Sequence, residues 1–194
     1  MLGAVKHALA NLANTSGRDA RQTFWYWILA VVVLRYGIGM VAAVPMMVEM
    51  FSSMSDAIRS GATPDAAQKQ MMGSVVDSLD YGLWAGLAAG VLTVPLLAAS
   101  LVRRLHDSDL SGWWILAPGL PYVGSLIAMP AAVAKAKQII ATIDATHPPD
   151  PWAQFQAQGW LSLLSFVPLL LVLWFGLRKS TDGPNRYGAD PVRF

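Results

Sequence analysis

The 194-residue sequence predicts an all-α integral membrane protein: a bundle of four transmembrane helices with a short N-terminal interfacial helix, forming one membrane domain over 1–194. Three observations carry this. Four apolar runs, Phe24–Val48, Leu83–Val102, Trp113–Ala134 and Gly159–Leu177, are nearly uncharged, and each is about 19–25 residues long. At about 1.5 Å of rise per residue, each run reaches across a hydrocarbon core about 30 Å thick. Only 13% of the residues are charged and 55% are hydrophobic, against about 25% charged in a soluble domain. Trp and Tyr gather at run ends, as Trp25, Tyr26 and Trp27, Tyr81 and Trp84, Trp113 and Trp114, and Trp160 and Trp174. This is the aromatic belt of a membrane interface. Lipid offers no water to backbone N–H and C=O groups, so the runs are expected as helices.

In chain order, Leu2, Val5, Leu9 and Leu12 recur at helical spacing, with Lys6 and Asn11 off that face. The pattern predicts a short helix over Met1–Ala13 on the inner membrane surface; the alternative is a frayed, water-exposed turn. Asn14-Thr15-Ser16-Gly17 breaks it. No cleavable signal peptide is legible in Met1–Asn14, so the first span is expected to stay as an uncleaved anchor.

The segment 49–82 is read as an outer loop. Apolar spacing at Met50, Met54 and Ile58, and again at Met71, Val75, Val76 and Leu79, predicts a helical hairpin resting on the outer surface. Gly61-Ala62-Thr63-Pro64-Asp65 separates its arms, with Thr63 placed to cap a helix that begins at Pro64. The second outer loop, 135–158, begins as a helical extension through Ile143. His147-Pro148-Pro149-Asp150-Pro151 stops it, and Trp152 and Phe155 dip back to the interface. Residues 178–194 form a tail.

Every span holds proline: Pro45; Pro95; Pro118, Pro121 and Pro130; and Pro168. Each can kink its helix, although proline is common in membrane helices. Gly82, Gly86 and Gly90 form a flat stripe that lets another helix approach closely, from within the chain or from a second copy. Arg35 is the one fixed charge near the middle of a span. A charge there costs about 2.5–3.5 kcal/mol on insertion scales, so Arg35 reads either as a ligand or lipid site or as a snorkelling side chain.

Lys6, Arg18, Arg21, Arg103, Arg104, Arg178, Lys179, Arg186 and Arg193 fall on one side, and Arg59, Lys69, Lys135 and Lys137 on the other. This asymmetry predicts both termini in the cytoplasm. A net charge of +2, scattered along the chain, gives no basis for nucleic-acid binding. The absence of cysteine excludes disulfides and thiolate metal sites. One His with two Asp is a poor metal set, and no cofactor motif or catalytic constellation is recognised.

Three polar clusters share the predicted inner side. They are Gly17-Arg18-Asp19-Ala20-Arg21-Gln22-Thr23-Phe24-Trp25, then Arg103-Arg104-Leu105-His106-Asp107-Ser108-Asp109-Leu110-Ser111-Gly112-Trp113-Trp114, then Asp182-Gly183-Pro184-Asn185-Arg186-Tyr187-Gly188-Ala189-Asp190-Pro191. Together they resemble the YhaH-type bacterial inner-membrane proteins, domain of unknown function 805. The family pattern reads G-R-x-x-R-x-E-F-W, R-R-L-H-D-x-x-x-S-G-W-W and G-x-N-R-Y-G-x-D-P. The resemblance covers about Leu12–Met129 and Ser165–Pro191. Thr23 departs from the usual Glu, Leu110 from a basic residue and Ala189 from Pro. The family usually has one span between the tryptophan pair and the last motif, where this chain has two runs. The third run is therefore either a full span or a re-entrant one. The resemblance implies an inner-membrane location and no established activity.

Chemically, the forks of Arg103 and Arg104 match phosphate oxygens. With Arg18, Arg21, Arg35, His106, Asp107, Asn185 and Arg186 they form the candidate set for an anionic lipid headgroup or other ligand. His106 adds charge as pH falls through about 6.5 if its surroundings are ordinary. The competing reading of Arg103–Trp114 is a topology anchor. The leading expectation is a structural or interaction protein whose partners are membrane lipids, anionic phospholipids among them, with a homo-oligomer or protein partner left open. A small transporter or channel is the alternative, although the polar residues within the spans are few. A lipid-directed enzyme is third and requires His106 and Asp107 to converge on one cavity.

Overall fold

A computed structural model describes residues 1–141 and 166–191. The described residues form helices α1 (Leu2–Ala10), α2 (Arg21–Arg59), α3 (Pro64–Asp107), α4 (Leu116–Ala141) and α5 (Val167–Leu177), with a 3₁₀ turn at Gly112–Ile115 before α4. Among the described residues, three helices are long and apolar enough to cross a membrane: Arg21–Arg59, Pro64–Asp107 and Gly112–Ile140. Of the expected fourth run, α5 supplies an apolar helix of 11 residues. Residues 159–165, the expected features of 142–158 and the last residues of the tail, 192–194, lie outside the described residues.

The segment 49–82 does not form a separate surface hairpin. The helix of the first span continues without interruption to Arg59, and the helix of the second begins at Pro64. No breaker occurs between Glu49 and Arg59, and apolar spacing persists, so the backbone has no reason to leave the helix. The hairpin is the far end of the two span helices. Its turn falls where the breakers are: Gly61 adopts φ +60°, and the Thr63 hydroxyl accepts from the Ala66 N–H at 3.4 Å, with Pro64 in the first turn. With 39 and 44 residues, α2 and α3 are about 58 and 66 Å long.

The short N-terminal helix is present, and the face it packs against the bundle is not the leucine face expected on the membrane surface. Leu2 and Leu9 are 79% and 52% exposed. Ala4 and Ala8 are buried, and Ala8 packs with Trp27 and Val31, with Val5 and Leu12 at the edge. Alanine allows the close approach that leucine would prevent. The Trp27 indole N–H donates to the Leu96 carbonyl at 2.8 Å, which ties α2 to α3 at the same level. A second cluster, Phe24, Leu101, Leu105 and Phe175, joins α2, α3 and α5. The buried core therefore sits at one end of the bundle. Elsewhere large apolar side chains such as Val33, Met40, Val41 and Ile127 are exposed, a surface suited to lipid.

Pro45, Pro95, Pro121 and Pro130 lie inside helices. Pro168 occupies the first turn of α5, where its missing N–H costs no helical bond. Gly86 and Gly90 face Met129 and Leu126 of α4, whereas Gly82 faces open space. The neighbour of the stripe is thus intramolecular, and the stripe is two glycines long. A Cβ at Gly86 would lie 2.5 Å from Met129 Cε. Gly86→Leu is expected to push α3 from α4 and cost about 1–3 kcal/mol, read as a lower melting temperature in detergent. An unchanged melt would show that the Met129 side chain gives way instead.

Candidate functional site

The three polar clusters meet where the last turns of α3 end. Residues 178–190 leave α5 and fold across Asp107, while residues 11–20 cross from the other side. The Asp19 N–H donates to the Arg103 carbonyl at 3.2 Å, and the Thr181 N–H to the Asp107 carbonyl at 2.9 Å. The second bond uses a carbonyl left open at a helix C-terminus; the first adds a donor to a carbonyl one turn before it.

At the centre is Asp107, fully buried. Its Oδ1 accepts from Arg18 Nη2 at 3.0 Å and Nε at 3.2 Å. Its Oδ2 accepts from Arg104 Nη1 and from the Ser180 hydroxyl. Arg18 also donates from Nη1 to the Gly183 carbonyl at 2.8 Å, and from Nη2 to the Thr181 carbonyl at 2.8 Å and its hydroxyl at 3.0 Å. Exposed Asp190 stands 3.6 Å away. Arg104 donates from Nε to the Gly176 carbonyl at 3.3 Å and from Nη2 to the Arg178 carbonyl.

Asp19 is a second buried carboxylate. Arg103 Nε lies 3.0 Å from its Oδ1; the N–H is not aligned on it, so the contact is an ion pair and not a hydrogen bond. The Ser100 hydroxyl donates to Asp19 Oδ2 at 3.0 Å, and His7 Nε2 stands 3.2 Å from Oδ1. Arg103 Nη1 donates to the carbonyls of Asn11, at 2.8 Å, and Asn14.

Arg18, Arg103 and Arg104 are 7%, 2% and 0% exposed. The basic phosphate pocket expected from them is therefore already filled by the protein's own carboxylates and carbonyls. Buried charge requires such pairing. Sequence reasoning missed Asp19, Ser100, Ser180 and Thr181 as partners.

His106 and Asp107 do not form an acid–base pair. Successive helical residues point about 100° apart. Asp107 turns to the arginines, while His106 Nδ1 faces the Gly17 carbonyl at 3.2 Å. The His106 ring stacks on Tyr187 with centroids 3.8 Å apart and planes 4° from parallel. Partial burial pushes its imidazole below the ordinary histidine range; the Gly17 carbonyl opposes this, and Arg186 adds to it. Charging near pH 6.5, expected for ordinary surroundings, therefore moves to lower pH. Asn185 Nδ2 donates to the His106 carbonyl and the Thr181 hydroxyl, both at 2.9 Å. Arg186 pairs with Asp109 at 3.0 Å on the surface and covers the Tyr187 ring at 4.8 Å.

Arg21 remains exposed, with Nη2 donating to the Arg178 carbonyl at 3.1 Å. It lines an open cleft of about 700 Å³ with Arg18, Trp25, Lys179, Thr181 and Asp190. Arg35 does not join this site; it lies along α2, where Nη1 reaches the Thr93 and Tyr122 hydroxyls. Among the described residues no group of three or more His, Cys, Asp or Glu could hold a metal ion.

No curated protein and no solved structure matches the chain. A family model does match, over residues 12–138, a stretch that takes in the first two polar clusters, α2, α3 and most of α4. Since this is more than half of its length, the chain belongs to the family described as Protein of unknown function (DUF805).

Proposed function

We propose that the chain is a multi-pass bacterial inner-membrane protein with four spans and both termini in the cytoplasm, that its role is structural or interactive, and that the rim of its inner cap receives anionic phospholipid headgroups. The common side of the termini is supported by packing: α1 and the 178–190 segment both seat on the C-terminal end of α3. The positive-charge bias puts that end inside. The buried cap ties the ends of the helices together, which favours a structural role over chemistry.

The observation that carries the headgroup reading is the division among the cations. Arg18, Arg103 and Arg104 are consumed internally, whereas Arg21 and Lys179 are exposed and flank Trp25 at the cleft. Guanidinium and ammonium beside an indole suit phosphate at an interface. Each such cation contributes about 1 kcal/mol toward an anionic surface and is screened by salt. Asp182 and Asp190 also line the cleft and temper the attraction. The double change Arg21→Ala, Lys179→Ala is expected to reduce the phosphatidylglycerol and cardiolipin retained in native mass spectrometry. Equal retention by variant and parent would overturn the headgroup reading. Changing Arg103 and Arg104 instead is expected to lower stability first.

A further inference from the structure

Arg35 sits near the middle of the first apolar run, and Thr93 near the middle of the second. Among the described residues no carboxylate pairs with it. Its Nη1 reaches the Thr93 and Tyr122 hydroxyls at 3.4 Å each, long for a charged donor, which prefers about 2.7–2.9 Å. Both hydroxyls already donate elsewhere, Thr93 to the Ala89 carbonyl at 2.7 Å and Tyr122 to the Gly90 carbonyl at 3.2 Å. The guanidinium charge therefore has no counter-charge there.

Beside Arg35 begins a second cleft, about 240 Å³, between α2 and α3. Gly39, Ala42 and Met46 form one wall, and Ser78, Gly82 and Ala85 the other. A Cβ added at Gly39 or Gly82 would meet nothing within 4 Å, so both glycines open onto free space. The cleft is smaller than the roughly 300–1,000 Å³ of sites for drug-sized ligands. It suits one alkyl chain and is too small for a two-chain lipid.

We propose that this cleft binds a single-chain carboxylic acid, its carboxylate on Arg35 and its chain running along Gly39, Ala42 and Met46 toward Ser78. Charge complementarity selects an anion. Depth selects a carboxylate over a phosphate. Desolvation favours the neutral form of a carboxylic acid, which can enter the apolar phase uncharged; the guanidinium favours the carboxylate once bound, and the proton passes to bulk water. A phosphodiester stays charged throughout. The inference takes the depth of Arg35 from the membrane placement proposed above and is otherwise independent of the headgroup rim.

The test titrates the full-length protein in neutral detergent with cis-parinaric acid, an intrinsically fluorescent fatty acid. A saturable fluorescence rise is expected, competed by palmitic acid and not by the corresponding alcohol. Arg35→Gln is expected to weaken binding about tenfold or more, the scale of a lost charged hydrogen bond. Gly39→Leu fills the cleft, keeps the charge and is expected to weaken binding similarly. Equal affinity in Arg35→Gln, or displacement by the alcohol as strong as by the acid, overturns the proposal. If Arg35→Gln does not fold, Gly39→Leu and the acid–alcohol competition decide. Arg21→Ala with Lys179→Ala is expected to leave parinaric acid binding unchanged, so the headgroup reading and this one fail separately.

Discussion

Asp107→Ala is expected to destabilise the cap by about 3–5 kcal/mol, the scale of a buried ion pair that loses one partner. Asp107 is fully buried and is shared by Arg18, Arg104 and Ser180. Its removal leaves buried Arg104 without its facing carboxylate and buried Arg18 with only exposed Asp190 at 3.6 Å, an arrangement costlier than the absence of the whole set. Asp107→Asn keeps the shape and one acceptor oxygen but not the charge, and should fall between parent and alanine variant. The Thr181 N–H still has the Asp107 backbone carbonyl at 2.9 Å, so the tail loosens before it detaches. Melting in detergent gives the size of the effect, and limited proteolysis within residues 178–190 gives its location. An alanine variant that melts with the parent and resists protease equally would show that the arginines find other partners.

How much of this was legible in the sequence differs from feature to feature. The runs Phe24–Val48 and Leu83–Val102 each fall within one helix, and Trp113–Ala134 falls within the 3₁₀ turn and the α4 that continues it, because uncharged stretches of that length leave little choice. The hairpin turn and the Thr63 cap were legible, but the continuity of the arms with the two span helices was not, because hydropathy falls at Glu49 while helical spacing does not. Loss of hydropathy marks the edge of an apolar phase; only Gly61 and Pro64 mark the end of a helix. On α1 the apolar spacing that makes the helix was legible, whereas the packing of the small Ala4 and Ala8 into the bundle was not. At the site, the density of the Arg103–Trp114 motif was legible, but its internal neutrality was not. Arg18 and Asp107 are 89 residues apart, and nothing local announces their pairing. Arg104 and Asp107, by contrast, are an i,i+3 pair that helical geometry alone brings together. Attention to the adjacent His106 concealed it.

Gly176→Val is expected to act on the same contact from the opposite side. Gly176 is buried near the end of α5. A Cβ there would lie 2.7 Å from Trp25 Cζ2 and 2.8 Å from Phe24 Cε1. Both atoms belong to rings, which cannot bend aside as an alkyl terminus can, and Phe24 is fixed in the core beside Leu101, Leu105 and Phe175. The helix must therefore move, and with it the Gly176 carbonyl that receives Arg104 Nε at 3.3 Å. Overpacking of this kind costs about 1–3 kcal/mol. Glycine within a helix ordinarily does the reverse, since its replacement by alanine gains up to about 1 kcal/mol. The sign of the effect is therefore diagnostic even for Gly176→Ala. Melting in detergent should fall for alanine and further for valine, and a rise for alanine would place the glycine outside the close approach. In the double variant with Asp107→Ala the two losses should sum to more than the measured total, because both release Arg104. Strict additivity would mean that α5 and the Arg104–Asp107 pair are held independently.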